Sequence, residues 1–422
     1  MKTKPTPVQH PTNLSALRIN GARLWDSLMD LAKVGATPRG GVKRLALTDL
    51  DRQGRDLVIT WFRQAGMTVR VDRVGNIFAR RVGTDPDRAA VASGSHIDTQ
   101  PSGGKFDGNY GVLAALEVVR TLNDKQLETP APIEVVIWTN EEGTRFTPVM
   151  MGSGAYAGVF DLTTVLQAQD LDGLTVGDEL NRIGYAGETE PGAHPFAAYF
   201  EAHIEQGPIL EDAGLPIGVV TGALGQRWFD VSVAGMEAHA GPTPMGLRRD
   251  ASLAMAQIIQ SVNQIALDEA PDGRGTVGFV QVSPNSRNVI PGNAVFSIDL
   301  RHPNDAGLER MEQAFRKACE QAARDTRTTI GIAHVTDFPP CEFDKACVQA
   351  VREAAAALDQ PHQDIVSGAG HDAVYVARVA PTGMIFVPCK DGISHNEIED
   401  ASPSDIEAGA NVLLQAMLAR VV

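Results

Sequence analysis

The sequence predicts an α/β protein in which a small α+β domain is inserted into a larger one. Three observations carry this. Short apolar runs that read as strands alternate with segments of helical periodicity. Between residues 218 and 334 the order becomes strand, helix, strand, strand, helix, strand, which is the split βαβ pattern of a ferredoxin-like domain. A chain of 422 residues also exceeds what one ordinary core organises, so two or three domains are expected. The main domain is expected over 14–217 and 335–422, the insert over 218–334, and a disordered tail over 1–13.

Composition narrows the function classes. Hydrophobic residues make up 43% and charged residues 21%, ordinary for a globular protein. A formal charge of −15 argues against a nucleic-acid or anionic-membrane surface. It leaves room for a small anionic substrate, which needs only a local arginine. Cys319, Cys341, Cys347 and Cys389 show neither CxxC spacing nor a disulfide pattern. The start MKTKPTPVQHPTN has no apolar core of a secretory signal, and no stretch has the apolar length of a membrane span. A cytoplasmic location is expected.

The elements follow in order. Apolar residues at Leu17, Leu24, Leu28 and Leu31 predict a helix from Leu14 to Val34. Thr48 caps a second helix through about Ala65, with Asp49 and Asp51 in its first turn. MTVRVDRVGNIFARR alternates around a Gly-Asn turn and predicts a hairpin. Residues 89–95 are small and apolar and read as a buried strand. After it comes GSHIDTQPSGGKFDGNYG (94–111), then a helix opening on VLAALEVV. His96, Asp98 and Asp107 thus lie on a loop at the carboxyl end of a strand, where open α/β sheets form sites. Imidazole and carboxylate suit a divalent metal, and Asp98 is placed to hold the His96 ring. Taken alone, the stretch reads equally well as a polar loop with a helix cap.

Ile133 to Thr139 predicts another buried strand, followed by Glu141 and Glu142. On an extended chain neighbours point to opposite sides, so one carboxylate can bind metal while the other faces the reacting centre. A solvated acidic turn is the commoner origin of Glu-Glu. Residues 161–195 are polar and give no assignment. In AYFEAHIEQGP, Glu201, His203 and Glu205 share one strand face, and His203 lies near a strand-to-loop boundary. The insert reads as WFDVSVAG, a helix 247–267, the strands GTVGFVQVS and NAVFSIDLRH, a helix 308–323 and TTIGIAHVT. The main domain resumes with a helix 346–358, the loop SGAGHDA (367–373), the strand GMIFVP, the loop CKDGISHNE and a last helix 404–419. His395 follows a strand too. His96, Asp107, Glu142, His203 and His395 therefore all follow or end predicted strands, about the number that two metals sharing one carboxylate require.

In this order, GSHIDTQPSGGKFDGNYG, TNEEGTRF, HIEQGP, AGMEAHAGPTP, NVIPGNA, DLRHP, SGAGHDA and SHNE resemble the hydantoinase/carbamoylase branch of the dinuclear metallo-aminoacylase and aminopeptidase superfamily. The resemblance covers nearly the whole chain after the tail. It implies a mixed-sheet metallopeptidase-like catalytic domain with the inserted domain as lid and dimerisation surface. By that similarity His96 and His203 hold one divalent ion, Glu142 and His395 hold the other, Asp107 bridges them, and Glu141 is the general base. Gln206, His239, Asn288, Arg301 and the backbone at Gly370 contact substrate, with His239 and Asn288 placed to donate to the developing oxyanion.

The implied reaction cleaves the carbamoyl C–N bond of N-carbamoyl-L-amino acids to amino acid, ammonia and carbon dioxide. β-Ureidopropionase and allantoate amidohydrolase share the motifs and stand as alternatives. A dipeptidase fits less well, given Gln206 and Arg301. A non-catalytic dimeric binding protein would be expected to lack Glu141 or Asp107. Zinc is the expected ion, with manganese, cobalt and nickel also compatible, and a homodimer through the insert is the expected assembly.

Overall fold

The structure is a computed structural model that describes residues 14–421; the tail expected over 1–13 lies outside them. The chain forms two compact units. One holds the chain up to Thr221 and again from Phe343, and the other runs from Gly222 to Glu342.

Among the described residues the first unit carries eight strands of a mixed sheet. Its centre is four parallel strands in the order Ile133–Trp138, Ala90–His96, Phe196–Ile204 and Thr382–Val387. Antiparallel strands Ile77–Arg81 and Ile217–Ala223 flank them. Every residue of Ala90–His96 and Ile133–Trp138 is buried, as expected of parallel strands covered on both faces. The helix Asn109–Asp124 packs on Ala90–His96, and Gly21–Ala32 and Pro403–Leu418 pack on that helix. Because the four central strands are parallel, their carboxyl ends share one rim of the sheet, and the candidate site lies there.

Local signals set the element ends. Asn20, Thr48 and Ser402 cap their helices by accepting backbone N–H bonds, each worth about 1 kcal/mol. The helix expected from Leu14 begins instead at Gly21, where the Asn20 cap starts it. Within 161–195 lie two short helices, Leu162–Gln167 and Val176–Ile183, capped by Asp161 and Thr175. Polar composition hid them, but their caps were in the sequence. The strand His362–Ser367 was not expected.

In the second unit, strands Val280–Ser283, Asn293–His302, Gly225–Ala234 and Thr329–Phe338 lie in that order, each pair antiparallel. GTVGFVQVS is not one strand. It splits into Arg274–Thr276 and Val280–Ser283, both paired with Asn293–His302, and Phe279 N–H turns aside to the Ser297 hydroxyl. Helices Ala251–Asp268 and Asp305–Thr326 cover one sheet face, burying Phe229, Val231, Phe296, Ile298, Met311 and Phe315. Alternate residues of Asn293–His302 are buried, as a half-covered sheet requires. Among the described residues no helix is long and apolar enough to cross a membrane.

Candidate metal centre

His96 is the last residue of strand Ala90–His96, and Glu141 and Glu142 follow Ile133–Trp138. His203 is the penultimate residue of Phe196–Ile204, and His395 follows Thr382–Val387 on a loop. Asp107 stands just before the helix Asn109–Asp124. The structure brings all of these together. Nε2 of His96 and Nε2 of His203 lie 3.5 and 3.2 Å from Asp107 Oδ1. Nε2 of His395 lies 3.3 Å from the other oxygen, Oδ2, and 3.4 Å from Glu142 Oε2. Glu141 Oε2 is 3.5 Å from His96 Nε2. Two groups of donor atoms thus converge, His96–Asp107–His203 and Asp107–Glu142–His395, with Asp107 in both.

Hydrogen bonds assign the ring tautomers. Nδ1 of His96 is 2.9 Å from the Asp98 carbonyl, and Nδ1 of His203 is 2.9 Å from the Ile204 carbonyl. Each Nδ1 therefore carries the proton and donates it to a backbone acceptor. The Nε2 lone pair of His96 is left aimed at a carboxylate oxygen that is itself an acceptor, and that of His203 faces the same oxygen while it accepts the Gly108 N–H. A cation between them reconciles three converging acceptors, so this donor set fits a divalent ion. A third group, Glu201–His203–His371, fits less well. Glu201 already accepts from the Ser95 hydroxyl and the Ala373 N–H, and His371 Nε2 is engaged with Ser367.

The charges agree with that reading. Burial pushes the Glu141 carboxyl well above its usual range; His96 opposes this, and Asp372, Glu142 and Asp107 add to it. Burial, with Asp107 beside it, pushes Glu142 up to about 7. Burial would raise Asp107 as well, but the imidazoles of His203, His395 and His96 that crowd it hold it well below the usual range. The bond to Asp107 raises His395 to about 9. Several buried carboxylates sharing so little positive charge are what a divalent ion neutralises.

Asp98 does hold the His96 ring, but through its backbone carbonyl and not its side chain, whose Oδ1 is 3.8 Å from Nδ1. The carboxylate instead accepts the N–H groups of Glu141 and Glu142, each at 3.3 Å. A two-residue spacing lets the carbonyl fold back on the ring, and this is the physical reason for the difference. Gly108 has a φ of +65°, and a Cβ there would stand 2.5 Å from the His96 ring. Its N–H reaches His203 Nε2 at 3.2 Å.

Other expected residues are placed as follows. Gln206, at φ +58°, donates to Asp107 Oδ2 at 3.0 Å. Gly370 lies in the loop before the short helix Asp372–Val376. In the second unit, Val289 pairs with His239, and the Asn288 carbonyl accepts the Ala240 N–H, so His239 and Asn288 are neighbours across a short two-stranded antiparallel sheet. Arg301 stands on a separate strand, and its guanidinium is held by Asp299, with Nη2 at 2.9 Å from Oδ2.

Sequence reasoning missed three supporting residues. Gln100 grips Glu142 twice, through its backbone N–H at 3.1 Å and its amide at 2.6 Å. Arg44, fully buried, donates to the Ile97 carbonyl and to Asn109 Oδ1, tying together the two ends of the 96–109 loop. Glu399 binds the backbone of Asp107. No local pattern marks any of them.

A model of peptidase family M20/M25/M40 matches residues 92–419. The chain belongs to this family. Within M20 it is similar to an N-carbamoyl-L-amino-acid amidohydrolase of Rhizobium meliloti, with 49% identity over 95% of this chain and 96% of that one. A Geobacillus stearothermophilus protein of the same name is 40% identical over 94% and 97%. Among solved structures, a hydantoinase/carbamoylase family amidase from Burkholderia multivorans superposes with a TM-score of 0.94 at 59% identity, over 96% of this chain and 99% of that one. The M20 fold and the converging donor groups make this a centre for divalent metal.

Proposed function

We propose that this chain is a dinuclear metal amidohydrolase that cleaves the carbamoyl C–N bond of N-carbamoyl-L-amino acids. The observation that carries it is the meeting of the His96 and His203 Nε2 lone pairs on one oxygen of Asp107, with His395 and Glu142 on the other side. Two relatives that match over nearly their whole length bear the corresponding names, which supports the substrate class.

His96 and His203 would hold one ion and Glu142 and His395 the other, with Asp107 shared between them. Zinc suits this donor set, as do manganese, cobalt and nickel. Ions bound there supply Lewis acidity and make water more acidic. Glu141 takes a proton from the attacking water and returns it to the leaving nitrogen. The water oxygen bonds to the ureido carbon, the carbonyl oxygen takes the negative charge, and collapse of this adduct expels the amino-acid nitrogen. The carbamic acid left over then breaks its remaining C–N bond unaided, so the products are the amino acid, ammonia and carbon dioxide. His239 and Asn288 donate to the oxyanion that forms. Arg301 pairs with the substrate carboxylate through its planar fork, and Gln206 and the Gly370 backbone orient the substrate.

Metal analysis of the purified protein, then a panel of ureido acids with and without added metal, tests this. N-Carbamoyl-L-amino acids should release ammonia fastest. Faster release from β-ureidopropionate or allantoate would move the substrate within the family, and no release from any ureido acid would overturn the reading. A homodimer through the second unit is part of the proposal, and a light-scattering mass near one chain would contradict it.

A further inference from the structure

Glu399 takes no part in the chemistry above, yet its buried carboxyl group is fully engaged. Oε1 accepts the N–H of Phe106 at 3.0 Å and of Asp107 at 3.2 Å. Oε2 accepts the Ser394 hydroxyl at 2.8 Å. Ser394 immediately precedes His395, and its oxygen also lies 3.1 Å from Asp107 Oδ2. One side chain thus grips the peptide that carries the bridging carboxylate and the residue that carries the exposed histidine of the second group. Glu399 belongs to none of the converging donor groups found among the described residues, so it acts on the ligands and not as one of them.

A second observation concerns Gly104, three residues before Asp107. A Cβ at that position would stand 2.0 Å from the Glu399 carboxyl. Real Cβ atoms do not approach so closely, so the glycine is what lets Glu399 reach the Phe106–Asp107 backbone. The absence of a side chain at 104 and the carboxylate at 399 are two halves of one device. It spans almost three hundred positions of the sequence.

We infer that Glu399 is a positioning residue that fixes the distance between the bridging Asp107 and His395, and so holds the Asp107–Glu142–His395 group ready for its ion. The inference rests on the dinuclear reading given above. His96 and His203 are anchored by other groups, the Asp98 and Ile204 carbonyls. Loss of Glu399 therefore weakens the second ion far more than the first.

Chelator-treated wild type, E399Q, E399A and G104A are titrated with zinc by calorimetry, with bound metal counted by mass spectrometry. Circular dichroism before loading reports folding. Glutamine keeps an oxygen for the two N–H groups and turns its amide to Ser394, so E399Q should still bind two ions per chain. E399A should hold the second ion at least about tenfold more weakly, the scale typical of lost outer-shell partners, and the first ion with a much smaller loss, because it shares Asp107 but keeps the anchors of His96 and His203. G104A, which displaces Glu399 without removing it, should shift the second ion in the same direction and stands in for E399A if that variant does not fold. Two ions at wild-type affinity in E399A, or in G104A standing in for it, would overturn the inference, and so would equal weakening of both ions. Fewer than two ions in the wild type itself would instead overturn the dinuclear reading, before any variant is compared.

Discussion

The Asp98 carboxylate accepts the backbone N–H of Glu141 at 3.3 Å, and the Asp98 carbonyl accepts the Nδ1–H of His96 at 2.9 Å. One residue thus fixes a metal-holding ring with its main chain and the proposed base with its side chain. D98A keeps the carbonyl and strips the buried Glu141 N–H and the partly buried Glu142 N–H of their acceptor. Its turnover should fall about 10- to 100-fold, with the loss at the Glu141–Glu142 turn and not at His96. Metal titration alongside kcat checks this: loss of the ion held by His96 and His203 would show that the side chain has a wider role.

Glu141 is buried, with its carboxylate 3.5 Å from His96 Nε2. E141Q preserves shape and removes the ability to take a proton. It should bind metal as the wild type does and lose about 10²- to 10⁴-fold in kcat. Near-normal turnover of a ureido acid would remove Glu141 as the base.

Arg301 is paired with Asp299 on its own strand. A substrate carboxylate would share that guanidinium, so R301A should raise KM for N-carbamoyl amino acids well above its effect on kcat. The measurement is a KM and kcat pair for a carboxylate substrate and its amide. An equal effect on both substrates would point to a different anchor.

Burial pushes the Cys319 and Cys347 thiols up to about 12 and Cys389 to about 11, while Cys341 is only half-buried. At pH 8 the Cys319 thiol is then almost wholly protonated, and the thiolate is the reactive form. A thiol reagent should modify Cys341 first in the native protein and all four cysteines only after unfolding. The sign for stability follows. The folded state disfavours the thiolate, so this contribution is intact below pH 9 and declines as pH rises from there towards 12. Rapid native labelling of all four would contradict the burial.

Much of the fold was legible because its signals are local. Small apolar runs such as residues 89–95 and IEVVIWT mark strands buried on both faces, and Thr48 marks a helix start by its own hydroxyl. The candidate site was legible for a related reason. His96, Glu142, His203 and His395 each sit where an apolar strand stops, and such a position is read from the chain itself. Over residues 161–195 the polar composition gave no assignment, and for GTVGFVQVS the apolar run read as one strand where the backbone makes two.

From the sequence alone came the residue types, their places at strand ends and the reaction class that such donors suit. Tertiary structure decided which atom does what. It gave Asp98 its carbonyl for the ring and its carboxylate for Glu141, set Gln100 on Glu142, and brought Glu399 to the backbone of Asp107. A hydrogen bond depends on distance and angle between groups that the chain order leaves far apart. Spacing along the sequence therefore shows which side chains are available, and only packing shows which partners each one meets.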